Sequence, residues 1–258
     1  MKDAVNALGT FCGVRDVHGL TPKDLYEKVG FYKADVMVLF GGSILCGADV
    51  LGHAMQSGVA EKYIIVGGAG HTTPILRGKV HELFPKIETE NRPEAELFNA
   101  LLNVRYGLFA DLLEKTSTNC GNNITYMLKL LEEYSIPCRS IILVQDATMQ
   151  RRMAAGLRLL RPDMNIINFA AYRAEVVERE GCLQYRDAIW GMWDIAHYVE
   201  LLLGEIQRLR DDENGYGPNG RGYIAHEEIP DEIEAAFAKL KETFMVRKAN
   251  PAFASIKK

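Results

Sequence analysis

Short apolar runs alternate with longer amphipathic runs from about residue 20 to about residue 173. An apolar run of about four to eight residues is typical of a buried strand, and an amphipathic run with a period of about 3.6 residues is typical of a helix. The pattern predicts strands at 34–40, 63–66, 112–114, 140–144 and 165–169, with a further extended piece near 87–89.

Helices are predicted between these strands. One of them has the expected end signals, because Thr21 and Pro22 precede its first turn and Gly30 follows its last. The alternation of strands and helices favours an α/β fold with a mainly parallel sheet of about five or six strands. The predicted helices cover 23–29, 48–56, 74–83, 94–105, 124–134 and 149–160.

The alternation stops after the last of these strands. A long amphipathic helix is predicted over 189–209, followed by a glycine-rich loop over 210–222 and a last helix over 231–247. Because the sequence has no internal repeat and no low-complexity linker, we expect this part to pack on the core. The predicted organisation is an α/β domain at 1–173 and a helical C-terminal extension at 174–258.

The composition is ordinary for a soluble protein, with 48% hydrophobic and 25% charged residues. A net charge of −4 and a pI near 5.9 argue against a nucleic-acid partner, because phosphate-backbone binding normally needs a basic surface. The five cysteines are scattered and lack zinc-site spacing, which favours a reducing, cytoplasmic compartment and no metal site. No signal peptide is recognised, and no run approaches the roughly 18 apolar residues of a membrane helix, so no membrane anchor is expected.

Polar or glycine-rich loops follow several predicted strands. In doubly wound sheets, ligands bind outside the carboxyl ends of the strands, where the strand order reverses. The loop at 117–123 has more Ser, Thr and Asn than one helix cap requires, beside a helix start that favours anions. We expect these loops to converge on one ligand. The candidate ligand-binding residues are Gly41, Gly42, Ser43, Gly67, Gly68, Gly70, His71, Glu94, Ser117, Thr118, Asn119, Asn123, Gln145, Asp146, Arg151, Arg152, Arg210 and Tyr216.

Each group has a role in this hypothesis. The glycines let the backbone close on the ligand, and the polar side chains of 117–123 donate hydrogen bonds. Arg151 and Arg152 neutralise the negative end of the ligand, because guanidinium groups bind phosphate and carboxylate at two points. Asp146 and Glu94 engage its hydroxyl or amino groups.

The glycine-rich loop is expected to fold back beside the same edge of the sheet. In that position Arg210 would pair with an acidic residue or with the ligand, and Tyr216 would cover an apolar ring. The alternative is a structural clasp that ties the long helix to the core.

Structural explanations compete with the other roles as well. The 117–123 loop is equally consistent with a well-capped helix, and the glycines with tight turns. Asp146 alternatively caps the next helix, and Cys120 is either a nucleophile or a small buried hydrophobic residue. The sequence has no G-x-G-x-x-G, no phosphate-binding loop, no nucleophile elbow, no H-E-x-x-H and no calcium loop, so no complete catalytic site is predicted.

Three long motifs occur in order along the chain. They are Ser117-Thr118-Asn119-Cys120-Gly121-x-Asn123, Val144-Gln145-Asp146-x-Thr148-Met149-Gln150-Arg151-Arg152 and Leu209-Arg210-Asp211-Asp212-x-x-Gly215-Tyr216-Gly217-Pro218-x-Gly220-Arg221. Together they resemble the motifs of the bacterial YdcF-like proteins, which belong to a wider family with the SanA-type and ElyC-type envelope proteins. The resemblance extends from about residue 34 to about residue 226.

This resemblance implies a Rossmann-like three-layer α/β/α fold with a C-terminal extension, a cytoplasmic setting and an association with S-adenosylmethionine. It implies no established reaction. Relatives often have a histidine in the loop after the late strand, whereas this chain has Met149 at the matching position, so histidine-dependent chemistry is not carried over. Glu94, within Arg92-Pro93-Glu94-Ala95, matches an acidic helix start of the family.

The residues and the resemblance together predict a cytoplasmic protein that binds a small anionic or nucleotide-like ligand. S-adenosylmethionine is suggested by the resemblance alone, since Val66-Gly67-Gly68-Ala69 lacks the acid with which methyltransferases usually hold the ribose. One alternative is a hydrolase or transferase acting on a phosphate ester or diphosphate, with Asp146 and Glu94 as acid, base or metal ligands. Another is an interaction protein whose long tail helix forms a homodimer or other oligomer interface.

Overall fold

The computed structural model describes residues 1–248, and a parallel sheet of five strands forms its centre. The order across the sheet is β3-β2-β1-β4-β5, and every pairing is parallel. The predicted α/β class is therefore confirmed as a Rossmann-like three-layer fold. Residues 249–258 of the predicted C-terminal extension lie outside the described part. The strands are β1 (Ala34–Phe40), β2 (Ala60–Val66), β3 (Leu112–Glu114), β4 (Ser140–Val144) and β5 (Asn165–Asn168).

Strand β1 lies in the middle of the sheet because both of its faces are apolar. Val36, Val38 and Phe40 pack into the core on one face, while Met37 and Leu39 pack into the core on the other. All five side chains are buried. A strand segment covered on both faces has no position at which a polar side chain reaches water, which explains the unbroken apolar run from Val36 to Phe40, whereas Asp35 at the start of β1 is only partly buried.

Helices cover both faces of the sheet. The bounds are α1 (Lys2–Cys12), α2 (Pro22–Val29), α3 (Cys46–Ser57), α4 (Thr73–Leu83), α5 (Glu94–Tyr106), α6 (Cys120–Glu133), α7 (Gln150–Leu160), α8 (Ile195–Leu209) and α9 (Asp231–Leu240). The apolar residues of α3, α4 and α5 share one core with α1, α8 and α9, whereas α6 and α7 pack against the other face of the sheet in the second core. No helix within residues 1–248 is both long enough and apolar enough to cross a lipid bilayer.

A hairpin after the main sheet is absent from the sequence-based prediction. It joins β6 (Val176–Arg179) and β7 (Cys182–Tyr185) in antiparallel pairing. Glu180 and Gly181 form the turn with φ of 54° and 75°, and positive φ at both central positions is the turn geometry that hairpins favour. The extended piece predicted near 87–89 is wrong, because these residues form no strand.

The long helix predicted over 189–209 begins only at Ile195. Asp194 is its N-cap, and the side chain of Asp194 accepts a hydrogen bond from the backbone N–H of His197 at 2.9 Å. Upstream, Gly191 has a φ of 79°, which is a left-handed conformation that a helix cannot continue through. A cap and a glycine turn therefore shorten the helix at its start.

The C-terminal elements pack on the first helix of the chain. Helix α1 contacts α8, α9 and the hairpin. The Asn6 side chain pairs with the backbone of Val176 in both directions, donating to its carbonyl at 2.9 Å and accepting from its N–H at 2.8 Å. The last predicted helix ends at Leu240 and not at 247. Neither α1 nor its packing on the C-terminal part is part of the sequence-based prediction.

Candidate functional site

The strand order reverses between β1 and β4. The chain passes from β1 to β2 on one side and returns on the other side of β1 with β4, so a crevice opens outside their carboxyl ends. The neighbouring loops meet at this edge. Gly41 N donates to Val66 O at 2.6 Å, Gly67 N donates to Glu114 O at 3.0 Å, and Ala171 N donates to Gln145 O at 2.8 Å.

Gly41, Gly67 and Gly68 allow these loops to pack against one another. A Cβ atom at Gly41 would lie 2.6 Å from Glu94 Oε2, and one at Gly67 would lie 2.9 Å from Glu94 Cβ. A Cβ atom at Gly68 would overlap the carbonyl oxygen of Ser117, and Gly68 N donates to Ser117 Oγ at 3.2 Å. These three glycines therefore serve contacts between loops, a role that the sequence alone did not suggest.

Gly42 and Gly70 differ from these three glycines. The nearest atom to a Cβ at Gly42 would be Gln145 Oε1 at 3.7 Å, and the nearest to a Cβ at Gly70 would be Thr118 O at 3.5 Å. Both are ordinary van der Waals distances. Among the glycines of the candidate site, these two leave the backbone approachable.

Glu94 is a buried acid at the start of α5. Its Oε1 accepts from Thr73 Oγ1 at 2.7 Å, and Thr73 Oγ1 in turn accepts from Gly70 N at 2.7 Å. Burial raises the pKa of the Glu94 carboxyl group, although the Thr73 hydrogen bond and Arg77 act in the opposite direction. The fold therefore favours the protonated form of Glu94 more than water does.

Asp146 accepts hydrogen bonds from its own loop and from the segment that follows β5. Its Oδ1 accepts from Thr148 N at 2.8 Å, from Thr148 Oγ1 at 2.7 Å and from Tyr172 OH at 2.8 Å. Burial raises the pKa of Asp146 in spite of these hydrogen bonds. The predicted alternative, a cap of the next helix, is not observed, because Met149 is the N-cap residue of α7 and has no side-chain cap bond.

Two buried polar atoms at the switch point have no hydrogen-bond partner within residues 1–248. They are Gln145 Nε2 and Ser43 Oγ. The other amide atom of Gln145, Oε1, accepts from Asp146 N at 2.6 Å. A buried donor or acceptor without a partner costs about 1–3 kcal/mol, so such atoms need an explanation.

Gln145 lines a small cavity between the ends of β1 and β4. Its volume is about 10 Å³, which is about the space that one water molecule needs. Phe40, Ile44 and Phe98 contribute apolar walls, and Asp146 contributes a polar one. The crevice is therefore nearly closed in this conformation.

The polar loop before α6 uses much of its hydrogen-bonding capacity on itself. Asn119 is the N-cap, with Oδ1 accepting from Asn122 N at 3.0 Å and Nδ2 donating to Asn122 Oδ1 at 2.7 Å. Thr118 Oγ1 donates to the same Asn122 oxygen at 3.2 Å. Ser117 and Asn123 are buried. Helix capping thus accounts for a large part of the polar surplus seen in the sequence.

Arg151 and Arg152 contact protein carboxylates. Arg151 Nη1 lies 3.1 Å from Glu227 Oε2, and Arg151 Nε donates to Phe11 O at 2.6 Å. Arg152 donates through Nε and Nη2 to both oxygens of Glu205. Both arginines that were predicted to neutralise a ligand are therefore paired with carboxylates of the protein.

The 210–222 loop is compact and tied to its surroundings. Arg210 pairs with Glu234 of α9 at 2.9 Å, which is an acidic partner of the kind expected. Tyr216 lies edge-on to Tyr223, with ring centres 5.3 Å apart. Just after the loop, Ala225 N donates to Ala155 O of α7 at 3.0 Å. These contacts resemble a clasp more than an open lid.

Glu114 is a site residue that the sequence reasoning missed. It ends β3, its Oε1 accepts from Thr116 N at 2.6 Å and from Ser117 N at 3.0 Å, and its Oε2 is buried with no partner in the described chain. An acid at the carboxyl end of a strand is the signal that identified Asp146. The same signal, applied to β3, finds Glu114.

Lys79 is a second residue that was missed. From α4 its Nζ donates to Ser43 O at 3.2 Å and to Gly191 O at 2.5 Å. The same Nζ lies 4.4 Å from the centre of the Trp193 ring. Burial lowers the pKa of Lys79. No local pattern could have found it, because Gly191 and Trp193 are distant in the sequence.

Within the described chain, no group of three or more His, Cys, Asp or Glu side chains is placed to hold a metal ion. All five cysteines are unpaired. Cys120 Sγ lies 3.5 Å from Arg152 Nη2. Burial raises the pKa of Cys46 and of Cys138 to about 12 in each case, so neither behaves as a thiolate at neutral pH.

We predict that Gly68→Ala lowers the free energy of unfolding by about 1–3 kcal/mol, because the added methyl group overlaps the backbone of Ser117. Gly70→Ala is the matched control, since its nearest neighbour would be 3.5 Å away, and it should stay within about 0.5 kcal/mol of the wild type. Urea unfolding measures both. Equal midpoints for the two variants would contradict the packing role of Gly68.

We also predict that Glu94→Gln raises the melting temperature by a few degrees at about pH 8 and loses this advantage near pH 4.5. Because the pKa of Glu94 is higher in the folded than in the unfolded protein, its protonated form is the one that the fold favours. Its contribution to stability is therefore complete at a pH below the pKa of the unfolded protein, and it is lost as pH rises through the pKa of the folded protein. Glutamine keeps the acceptor for Thr73 and does not ionise.

Glu96→Gln is the control for this pH dependence. Hydrogen bonds from Arg92 and Lys115 lower the pKa of Glu96, so its contribution is present above the unfolded pKa and is lost as pH falls. Its replacement should bring no gain at about pH 8. Thermal melts across this range that show the same pH trend for both variants would refute the assignment of Glu94 as a destabilised buried carboxylate.

No protein-family model matches the sequence. An uncharacterized protein of Streptomyces coelicolor is 24% identical over 220 residues, which cover 84% of this chain and 86% of that protein. The similarity therefore extends along most of both chains. It brings no ligand or reaction with it, and the resemblance to the YdcF-like proteins stays a prediction.

Proposed function

We propose that this protein is a small-molecule-binding protein of the YdcF type that takes a nucleotide-like ligand into the crevice between the carboxyl ends of β1 and β4. The observation that supports this proposal is the pair of buried, unpartnered polar atoms at that crevice, Gln145 Nε2 and Ser43 Oγ. Doubly wound sheets bind their ligands at this position. A ligand acceptor opposite Gln145 Nε2 would satisfy a donor that otherwise costs about 1–3 kcal/mol.

The walls beside Gln145 suit a flat heteroaromatic ring. Phe40, Ile44 and Phe98 are apolar, and small-molecule sites are typically apolar with a few polar groups that fix the orientation of the ligand. Because Asp146 N already donates to Gln145 Oε1, the amide offers its N–H groups to the ligand. A ring nitrogen or carbonyl of a nucleobase fits this donor. The adenine of S-adenosylmethionine, the ligand suggested by the sequence resemblance, belongs to the same class.

The crevice widens when such a ligand binds. Its present volume is about 10 Å³, whereas small-molecule sites occupy roughly 300–1,000 Å³. Ser43 lies on the loop that has to move, and Lys79 Nζ links Ser43 O to Gly191 O. Opening therefore moves the loop after β1 together with the segment around Gly191, and Gly42 supplies unhindered backbone for that movement.

The two buried acids add hydrogen-bonding capacity to the same edge. Burial raises the pKa of Glu94 and of Asp146, so each has an increased tendency to act as a proton-bearing donor. A cytoplasmic setting is part of the proposal and is supported by the five unpaired cysteines.

We predict that Gln145→Leu weakens the binding of adenosine and of S-adenosylmethionine by roughly tenfold or more, because it removes the N–H donor at the proposed contact. The melting temperature should change by only a few degrees. Leucine removes an unpartnered donor but also removes the acceptor of Asp146 N, and these effects oppose each other. Isothermal titration calorimetry with both ligands measures the affinities.

Gln184→Leu, on the exposed face of β7, is the matched control and should bind like the wild type. Equal affinities of the wild type and Gln145→Leu would place the ligand elsewhere. If neither adenosine, S-adenosylmethionine nor a panel of other nucleosides bound the wild-type protein, the proposal would be refuted.

A further inference from the structure

A basic cluster lies at the carboxyl edge, next to the crevice. It consists of Arg152 from α7, Arg208 and His197 from α8, His71 from the loop after β2, and Arg247 from the segment after α9. The side chains of Arg208, His197 and Arg247 are half-buried. Elements that are distant in the sequence thus bring their cationic and imidazole groups to one place.

Arg247 is the centre of this cluster. Its Nη2 lies 2.6 Å from His71 Nε2, and its Nη1 lies 3.2 Å from His197 Nε2. Because a guanidinium group can only donate, both imidazoles accept and are in their neutral form. Burial and the charge of Arg247 lower the pKa of both histidines, which agrees with this arrangement.

Positive charge exceeds negative charge among these contacts. Glu205 accepts from Arg152 and from Arg208. Arg247 contacts no carboxylate within residues 1–248, and it receives a hydrogen bond on its own carbonyl oxygen from Arg208 Nη2 at 3.1 Å. Three guanidinium groups and one carboxylate leave a surplus of two positive charges.

Charged groups at longer range leave the balance positive. Lys79 contributes a further positive charge near His197, whereas Asp194 and Glu200 contribute negative charge. Glu200 and Glu205 also act on Arg247. Neither Asp194 nor Glu200 forms an ion pair with the cluster in the described part of the chain.

Gly204 lets Arg208 and Arg247 pack closely against helix α8. A Cβ atom at Gly204 would lie 2.7 Å from Arg247 O and 2.8 Å from Arg208 Nη1. Helix α8 therefore has no side chain at the point where both arginines approach it. Any larger residue would collide with the backbone of Arg247 and with the guanidinium group of Arg208.

The cluster adjoins the crevice through Lys79 and Trp193. Lys79 Nζ donates to Ser43 O at 3.2 Å and lies 4.4 Å from the centre of the Trp193 ring. The Trp193 ring in turn packs on His197, with ring centres 4.6 Å apart. A ligand whose base enters the crevice can extend toward Arg247 along this path.

We propose that the basic cluster binds a phosphate group of the ligand, so that the ligand is a nucleotide or another phosphorylated compound. This inference rests on the proposed function of the crevice. A phosphate monoester carries about −1.5 to −2 charge at neutral pH, which is opposite in sign to the surplus of the cluster. The planar fork of Arg247 has about five N–H donors, of which the two histidines take one each, so it can hold the histidines and donate to phosphate oxygens.

The test compares pyrophosphate, ADP and adenosine by isothermal titration calorimetry on three forms of the full chain: wild type, Arg247→Gln and Lys248→Gln. Lys248 is the matched control, because it carries the same charge on the next residue and is exposed. We expect Arg247→Gln to weaken pyrophosphate and ADP binding by roughly 10- to 100-fold, and Lys248→Gln to change it by less than about threefold. Adenosine, which lacks phosphate, should bind all three forms alike.

The outcomes separate this inference from the function on which it rests. If pyrophosphate and ADP bind wild type and Arg247→Gln equally, or bind neither, the phosphate assignment is overturned. If adenosine fails to bind while pyrophosphate binding still depends on Arg247, the phosphate site at the basic cluster is supported and the proposal that the crevice binds a base is refuted.

If Arg247→Gln has a lower melting temperature than the wild type without ligand, Arg247→Lys is measured as well. This variant keeps the positive charge and loses the planar guanidinium group with its paired N–H donors. Folded Arg247→Lys with wild-type affinity for ADP would contradict the two-point contact, and an intermediate affinity supports it.

Discussion

The buried ion pair between Arg152 and Glu205 holds the C-terminal part of the chain against the carboxyl edge of the sheet. Glu205 is 3% exposed, and Arg208 is its second partner at 3.0 Å. Burial opposes the ionisation of Glu205, yet the facing guanidinium groups keep its pKa below its usual range. An ion pair of this kind has little tolerance for the loss of one partner, because the remaining buried charge typically costs about 3–5 kcal/mol. Since Arg152 lies in the first turn of α7, the pair also determines where α8 meets the sheet.

At the same edge, most polar groups stabilise the loops, and few are left for a ligand. Glu94, Asp146 and the 117–123 loop are all satisfied largely by nearby backbone and hydroxyl groups. Gln145, Ser43 and Glu114 are exceptions, because each is buried with an unpartnered atom in the described chain. This division explains why the sequence shows so many polar residues at the strand ends. Holding several loops close together already requires most of them.

The strands of the sheet were predictable because burial on two faces leaves an unbroken apolar run, as in β1 and β4. The hairpin was not, since β6 and β7 are short and partly exposed and show no such run. The carboxyl-edge location of the candidate site was predicted from the alternation of strands and helices, because in such sheets ligands bind outside the carboxyl ends of the strands. The partners of Arg151 and Arg152 did not, because Glu227 and Glu205 are 76 and 53 residues away along the chain. No local pattern encodes such long-range pairing, or shows which amide is left without a partner.

The packing of α1 on the C-terminal elements has a consequence for the synthesis of the chain. Val5 and Leu8 of α1 are completely buried, and the Asn6 side chain bonds to a residue 170 positions later. Because synthesis proceeds toward the C-terminus, the apolar face of α1 lacks its two main helical partners until α8 and α9 have left the ribosome. The parallel strands can pair before that moment, whereas α1 completes its packing only afterwards although it is made before the sheet. Such non-local closure slows folding and exposes apolar surface during translation, where chaperones act.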